Sequence, residues 1–168
     1  MDSPKEEFGR IYDQYIERIY RFVYLKVGAQ EATEDLCSDV FIRVWERFQQ
    51  GDIRNIQPFL YQVAKNVVAD HYREKGRTKI RVISIQEIEI EDPGNPVEEQ
   101  AITNADMEVV REALLELSDD YQNYIIWRYL EELSPPEIAQ ITGKSEESVR
   151  VGVHRALQAL KGKLNNSG

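Results

Sequence analysis

The sequence predicts an all-α protein with two small helical domains joined by an extended acidic linker. Apolar residues recur every three or four positions in the first and last thirds of the chain, which is the period of amphipathic helices. Between residues 77 and 104 this period is lost, and a segment rich in Pro and Gly at 92–96 interrupts regular structure. We therefore expect a three-helix domain in residues 1–76 and a helix-turn-helix domain in residues 105–168.

The composition limits the class of protein. The 168 residues are 42% hydrophobic and 30% charged, with 21 basic and 30 acidic side chains and a net charge of −9. This apolar content is too high for a disordered chain, and the single cysteine has no intrachain disulfide partner. No apolar run approaches the ~18 residues of a membrane span, and the acidic N-terminus lacks a secretory signal. A cytoplasmic protein is predicted.

Three apolar stripes predict the helices of the first domain. The first stripe spans residues 8–23 and is interrupted after it by Gly28. A second helix is expected over 30–48, with acidic residues in its early turns that favour the helix dipole. Pro58 suits the first position of a third helix, which is expected to end near Gly76.

The linker is strongly acidic. Residues 82–108 contain eight acidic side chains and no basic one. Isoleucines alternate with polar residues over 83–90, which is a weak strand pattern. A short hairpin is therefore the alternative to an extended segment.

The second domain contains a helix-turn-helix pattern. Apolar stripes at 107–117 and 121–130 come first, and residues 134–137 (Ser-Pro-Pro-Glu) then form a capping box with proline at the first helical position. The short helix ends at Gly143, and Ser145 is placed to cap a longer helix. The predicted buried residues of that helix are Val149, Val153, Ala156, Leu157, Leu160 and Leu164. Its predicted exposed residues are Glu146, Glu147, Arg150, Val151, His154, Arg155 and Gln158.

Basic residues are concentrated in two segments of this acidic chain. Residues 65–81 hold six basic and two acidic side chains, and residues 144–163 hold five basic and two acidic ones. Phosphates respond to the field within about one Debye length, ~8–10 Å. The overall negative charge therefore does not exclude binding to nucleic acid.

Several chemistries are not supported by the motifs present. Residues 143–145 resemble the end of a phosphate-binding loop, but Ile138 stands where that motif needs glycine and a helix precedes it. His71 and His154 lie in separate domains without a second ligand at metal-binding spacing. No nucleophile has a neighbouring base. We expect no catalytic site, no metal and no cofactor.

Two surfaces are candidates for nucleic-acid binding. In the helix-turn-helix, exposed Arg and His side chains near the start of the second helix are placed to meet base edges and phosphates. The alternative is an ordinary amphipathic helix with a solvated basic side. In the third helix, basic and aromatic residues alternate, which suits an unstacked strand. A solvated helix end whose cations favour the dipole is the alternative there.

Three motifs, in this order, resemble the extracytoplasmic-function class of bacterial RNA polymerase sigma factors in the sigma-70 family. The first motif spans residues 34–45 and the second spans 59–73. The third begins at 133–139 and continues through 148–150 to 154–156. Three motifs at the right separations are more specific than any one of them.

The resemblance implies that the second helix docks on the coiled coil of the largest subunit of core RNA polymerase. The implied core-binding residues are Asp35, Asp39, Phe41, Ile42, Trp45 and Glu46. Acidic and aromatic side chains suit a basic helical partner, because aromatics anchor while charges set register. The flap region of the polymerase and an anti-sigma factor are further implied partners. In the family the linker passes through the active-site and RNA-exit region of the polymerase.

The resemblance also implies two promoter contacts. The loop over residues 51–57 would capture a flipped base of the −10 element, and the implied −10 residues are Asn55, Lys65, Asn66, Asp70, His71 and Arg73. The implied −35 residues are Ser145, Ser148, Arg150, His154 and Arg155. The implied function is promoter-specific transcription initiation, and the alternative is an autonomous helix-turn-helix regulator that does not bind polymerase.

The chain departs from the family pattern at two places. Gly152 stands where the family commonly has a basic residue, and a glycine within a helix costs about 0.5–1 kcal/mol relative to alanine. Residues 37–39 (Cys-Ser-Asp) stand where the family more often has an apolar residue followed by Gln-Glu, so the charge is kept but the amide is lost. A redox role and a packing role are both open for Cys37. A small packed residue is the preferred interpretation, because unpaired cysteines are commonly buried.

Overall fold

A computed structural model of the protein describes residues 3–51, 53–77 and 103–167, with side chains described for 3–51, 53–75 and 108–165. The chain divides into two compact units, residues 1–94 and 95–168. All regular elements in the described ranges are helical, which confirms the all-α prediction. Almost the whole predicted linker, including the isoleucines with the strand-like pattern, lies outside the described residues. No helix in the described ranges is long and apolar enough to cross a membrane.

The first unit is a bundle of three helices, as predicted. These helices are α1 (Pro4–Val27), α2 (Gln30–Gln50) and α3 (Ile56–Arg77). Each packs against the other two, because each presents an apolar stripe to a common core. The fully buried members of this core include Ile19, Phe22, Val23, Val40, Val44, Leu60, Tyr61 and Ala64.

The start of α1 shows a cap that the sequence analysis missed. Ser3 Oγ accepts from Glu6 N at 3.2 Å, and Ser3 N donates to Glu6 Oε1 at 3.1 Å, with Pro4 at the first helical position. The Ser-Pro-x-Glu spacing is the same as in residues 134–137, so this signal was present in the sequence.

The start of α3 differs slightly from the prediction. The helix begins at Ile56, so that Pro58 occupies its third position rather than its first. The first turn of a helix has no intrahelical partners for its N–H groups, so the missing N–H of proline is tolerated at any of these positions.

The second unit contains α4 (Thr103–Leu114), α5 (Asp119–Ile125), α6 (Pro135–Thr142) and α7 (Glu146–Ser167). A π-helical turn, Ile126–Leu130, extends α5, and Glu131 N donates to the carbonyl of Ile126 at 2.8 Å. This turn was not predicted from the sequence. Residues 123–127 are all buried, so the end of α5 and the start of the turn lie at the centre of the unit, while Tyr129 at the end of the turn is 46% exposed.

The predicted caps of the helix-turn-helix are confirmed. Ser134 Oγ accepts from Glu137 N at 3.2 Å, and Ser134 N donates to Glu137 Oε1 at 2.8 Å. Gly143 ends α6 with φ of 79°, a conformation that favours glycine. Ser145 Oγ accepts from Ser148 N at 3.1 Å and so caps α7.

The predicted buried side of α7 is correct except at its C-terminal end. Val149, Val153 and Ala156 are buried and pack with Ile138 and Ile141 in the second unit. Leu157 and Leu160 are partly buried. The prediction for Leu164 is wrong, since this residue is 42% exposed. Most of residues 161–165 are exposed, so the end of α7 has little core to cover it.

Candidate functional surfaces

One side of α2 combines acidic and apolar residues and is exposed in the described part of the first unit. Asp35, Asp39, Ile42 and Glu46 are separated by four, three and four positions, which places them on a single side of the helix. All four are exposed, and the Ile42 side chain is exposed to 56%. We call these four residues the acidic stripe. An apolar side chain between carboxylates suits a partner with both basic and apolar character.

The two aromatic residues predicted for core binding are placed differently. The Phe41 side chain is 5% exposed, and its ring centroid lies 4.8 Å from that of Tyr12 and 6.4 Å from that of Phe8. The prediction that Phe41 contacts a partner is therefore corrected, because this ring packs α1 against α2. Trp45 is half-buried, with its ring 5.1 Å from Phe8 and 6.2 Å from Phe48. Its remaining exposed edge borders the acidic stripe.

The loop between α2 and α3 adjoins an open pocket of about 520 Å³. Gly51 ends α2 with φ of 76°. At the far end of the loop, Arg18 Nη1 donates to Gln57 Oε1 at 3.4 Å and links it to α1. The pocket is lined by Pro4, Glu7, Phe48, Gln49, Gly51 and Ile53. Asn55 is exposed on the same loop but does not line the pocket.

The six predicted −10 residues are not all on one surface. Asn66, Asp70 and Arg73 are spaced by four and three positions and share one side of α3. Lys65 lies about 100° around the helix from Asn66, and His71 lies about 140° in the other direction. Lys65 and His71 are both half-buried. The exposed side of α3 is therefore built from Asn66, Asp70 and Arg73.

Asp70 joins two arginines from different helices. Its carboxylate lies 3.1 Å from Arg73 and 3.9 Å from Arg43, and all three side chains are about half exposed or more. Exposed ion pairs add little stability, but they orient both guanidinium groups beside the exposed side of α3. Arg43 was not among the predicted site residues, because its position on α2 gives no sign of a contact with α3.

The imidazole ring of His71 is half-buried on α3. Its Nε2 atom is buried and has no hydrogen-bond partner among the described residues. Burial lowers the pKa of His71 below its usual value, and Lys75 lowers it further, while Glu74 acts in the opposite direction. The ring is therefore neutral at pH 7, so it offers no positive charge to a phosphate. Its neighbour Tyr72 donates a hydrogen bond to the carbonyl of Lys26, at the end of α1.

The exposed side of α7 matches the prediction. Its exposed residues are Glu146, Glu147, Arg150, Val151, His154, Arg155 and Gln158. Arg150 Nη1 lies 3.7 Å from Glu146 Oε1 within the first two turns of α7. The carboxylate therefore partly compensates the positive charge of this guanidinium. Ser148 is exposed, whereas the Ser145 hydroxyl oxygen is already occupied as the helix cap.

Gly152 is required by the packing of α7. A Cβ atom at this position would lie 2.5 Å from Cε2 and 2.9 Å from Cζ of Tyr124, closer than real Cβ contacts. Tyr124 belongs to the buried centre of the unit and is 5% exposed. The absence of a side chain lets the backbone of α7 lie against this ring, which explains the glycine at this position.

Replacing Gly152 with alanine is expected to destabilise the second unit by about 1–3 kcal/mol, the usual cost of overpacking a core. Urea unfolding followed by circular dichroism measures this change. Gly162→Ala is the matched control, because Gly162 lies on the same helix and a methyl group there would have nothing within 4 Å. Alanine at this second position should stabilise by up to about 1 kcal/mol. Equal effects at both positions would contradict the role of the Tyr124 contact.

Cys37 is a packing residue in this structure. Its side chain is 4% exposed, and burial raises the pKa of the thiol to about 12, with a smaller contribution from Glu34. The thiol is therefore protonated at neutral pH and is a poor nucleophile. This agrees with the preferred interpretation from the sequence.

Comparison with known proteins identifies the family. Residues 11–78 match the family model for Sigma-70 region 2, and residues 107–160 match the model for Sigma-70, region 4. The chain is 30% identical over 159 residues to the ECF RNA polymerase sigma factor BldN of Streptomyces coelicolor, covering 92% of this chain and 59% of BldN. It is 26% identical to the ECF sigma factor SigW of Bacillus subtilis, covering 98% of this chain and 92% of SigW. The chain belongs to the extracytoplasmic-function group of the sigma-70 family.

The fold of this sigma factor is also found in a solved structure. The sigma factor RpoE of Bartonella quintana, crystallised with the anti-sigma factor NepR, has a TM-score of 0.72 and 21% identity, covering 95% of this chain and 98% of RpoE. Family membership favours the sigma-factor interpretation over an autonomous helix-turn-helix regulator, because sigma factors are transcription initiation factors. The individual core-binding and DNA-binding residues stay predictions.

Proposed function

We propose that this sigma factor binds core RNA polymerase through the acidic stripe and Trp45, and that α3 and α7 recognise the −10 and −35 elements of its promoters. The observation that carries the proposal is the composition of three exposed surfaces. Three carboxylates surround Ile42 on α2, Asp70 pairs with Arg43 and Arg73 beside α3, and α7 exposes Arg150, His154 and Arg155. The proposed domains are residues 1–76 and 105–168, with 77–104 as the linker.

The acidic stripe provides a docking site of mixed character. Asp39 and Glu46 lie one turn on either side of Ile42, so a basic partner helix can pair with the carboxylates while it covers the apolar side chain. Trp45 adds an apolar edge next to the stripe and is held in place by Phe8 and Phe48. Rigid placement reduces the entropy that docking must overcome.

The −10 surface is proposed to bind a melted strand. Arg73 and Arg43 are held by Asp70 at the exposed side of α3, where they can meet phosphates without further ordering. Asn66 lies on the same side and can hydrogen-bond a base edge. Lys65 borders this surface. Asn55 stays our candidate for capturing a flipped base in the loop between α2 and α3. Flipping a base out of melted DNA costs little free energy, because the base is already unpaired.

The −35 surface is proposed to enter the major groove as the second helix of a helix-turn-helix. Arg155, His154 and Arg150 are exposed over the first half of α7 and can reach phosphates and base edges. Ser148 is exposed beside them, and Ser145 holds the start of α7 in place by accepting a hydrogen bond from Ser148 N. The proposal gives the chain no catalysis and no cofactor of its own, and assigns it to the cytoplasm. An anti-sigma factor is included among its partners.

Reconstituted transcription tests this function directly. Purified core polymerase, with and without the chain, is supplied with a promoter library randomised at both elements. We expect two enriched sequence boxes at a constant separation only when the chain is present. Arg155→Ala should weaken selection of the upstream box while leaving the downstream box unchanged. Unchanged initiation in the presence of the chain would contradict the proposal, and a symmetric operator bound without polymerase would support the autonomous regulator instead.

A further inference from the structure

We infer that Val151 and Glu147 determine −35 specificity by recognising the methyl group of a thymine and the amino group of a cytosine in base pairs one or two steps apart. This inference rests on the proposed function, in which α7 enters the major groove. Neither residue belongs to the set that the resemblance implied. Both follow from the side of α7 that the tertiary structure turns outward.

The rotation of α7 is set by its buried side. Val149, Val153 and Ala156 are buried, and Gly152 places the backbone against the ring of Tyr124. Any rotation about the helix axis would expose these apolar residues or drive a side chain into Tyr124. The direction that points away from the core is therefore determined by packing and not by the charged residues.

Four residues occupy the centre of the outward side. Glu147, Val151, His154 and Gln158 are exposed and follow at intervals of four, three and four positions. Arg150 and Arg155 lie about 70° to either side of this centre line. When such a helix enters a groove, central residues face base edges while the flanking arginines face the two phosphate walls.

Val151 is an apolar residue in the middle of this polar side. It is 43% exposed and lies on the side of α7 opposite the buried Val149, Val153 and Ala156. The C5-methyl group of thymine is the apolar feature of the major groove, and short aliphatic side chains recognise it by contact. A β-branched side chain has few rotamers, so this contact requires little ordering.

Glu147 is the acidic residue in the same row. It makes no ion pair with any described residue. The nearby Arg150 pairs instead with Glu146. Phosphates repel a carboxylate in the groove, and a hydrogen bond from a base offsets this repulsion. The major-groove group that Asp and Glu recognise is the cytosine N4 amino group. Four residues advance ~6 Å along a helix, and base pairs are spaced about 3.4 Å apart. Glu147 and Val151 therefore address base pairs one or two steps apart.

Removal of single methyl groups tests the role of Val151. The holoenzyme is assayed for transcription from its selected promoter after each −35 thymine, on either strand, is replaced in turn by deoxyuridine. At one position we expect about a fourfold loss, the effect of one buried methyl group, and Val151→Ala should be insensitive to that replacement. Lys161→Ala, at an exposed position further along α7, should keep the wild-type sensitivity. Sensitivity retained by Val151→Ala, or absent from the wild type, would overturn the inference.

A second library measures the role of Glu147. Glu147→Ala should relax a cytosine preference at one −35 position by about tenfold, the lower range for a good base contact. If the carboxylate serves only the helix dipole, this variant loses stability but keeps the wild-type preference, and the inference is then wrong. A wild-type holoenzyme with no −35 preference at all would overturn the proposed function as well, so the two failures are distinguishable.

Discussion

Changing Asp39→Lys together with Ile42→Asp should weaken binding to core RNA polymerase by at least about a hundredfold. Both side chains are exposed, and Ile42 is the apolar residue of the acidic stripe, exposed to 56%. Each anchor residue contributes about 2 kcal/mol to the binding free energy. Since 1.4 kcal/mol corresponds to a tenfold change in affinity, losing both residues lowers the affinity by more than a hundredfold. Titration of fluorescently labelled chain with purified core enzyme measures the change.

The controls for this experiment separate docking from folding. Circular dichroism of the double variant should match the wild type, since neither side chain contributes to the core of the first unit. Ile42→Leu should retain binding, and Glu17→Lys, an exposed charge reversal on α1, should leave the affinity nearly unchanged. Trp45→Ala is a less informative variant, because it also removes ring contacts with Phe8 and Phe48. Wild-type affinity in the double variant would place the docking surface elsewhere.

The free chain should bind promoter DNA at least about a hundredfold more weakly than the holoenzyme does in ~0.15 M salt, and with little sequence preference. The structure supplies the reason, because cations of the second unit are partly compensated by nearby carboxylates. Arg150 lies 3.7 Å from Glu146, and Lys163 lies 3.7 Å from Glu116. Core enzyme adds affinity by holding both DNA-binding surfaces on one promoter, which raises the effective concentration of the second contact. Gel shifts with and without core enzyme measure the difference.

The salt dependence of binding is the internal control. If about four phosphates are contacted, affinity for the free chain should fall on the order of a hundredfold between 50 and 200 mM salt. Arg155→Ala should reduce the slope of log affinity against log salt concentration by about one, the effect of losing one phosphate contact. Tight and sequence-specific binding by the free wild-type chain at physiological salt would contradict this prediction and would favour an autonomous regulator.

Features that depend on neighbouring residues were predicted well from the sequence. The cap at Ser134, the helix end at Gly143 and the cap at Ser145 are confirmed, because each is decided within four positions of the chain. The outward side of α7 followed from helical spacing for the same reason. The cap at Ser3 was missed although it is equally local and its pattern was present in the sequence.

Features that depend on distant residues were not predictable in the same way. Apolar spacing placed Phe41 on the second helix but did not show that Phe8 and Tyr12 of α1 enclose it. The pairing of Arg43 with Asp70 joins positions on two helices. The π-helical turn after α5 begins with the buried residues Ile126 and Trp127, and their burial depends on how the other helices surround them.

Residue spacing alone predicts two helical domains whose helix boundaries, caps and basic segments suit a sigma factor, because helical period and capping act over a few neighbouring residues. The packing of helices against one another was needed to show that Phe41 is a core residue, that Asp70 pairs with Arg43 and Arg73, and that Gly152 lies against Tyr124. These outcomes depend on which side chains meet across helices. Close packing makes that meeting specific, since interiors leave almost no space that is not already filled.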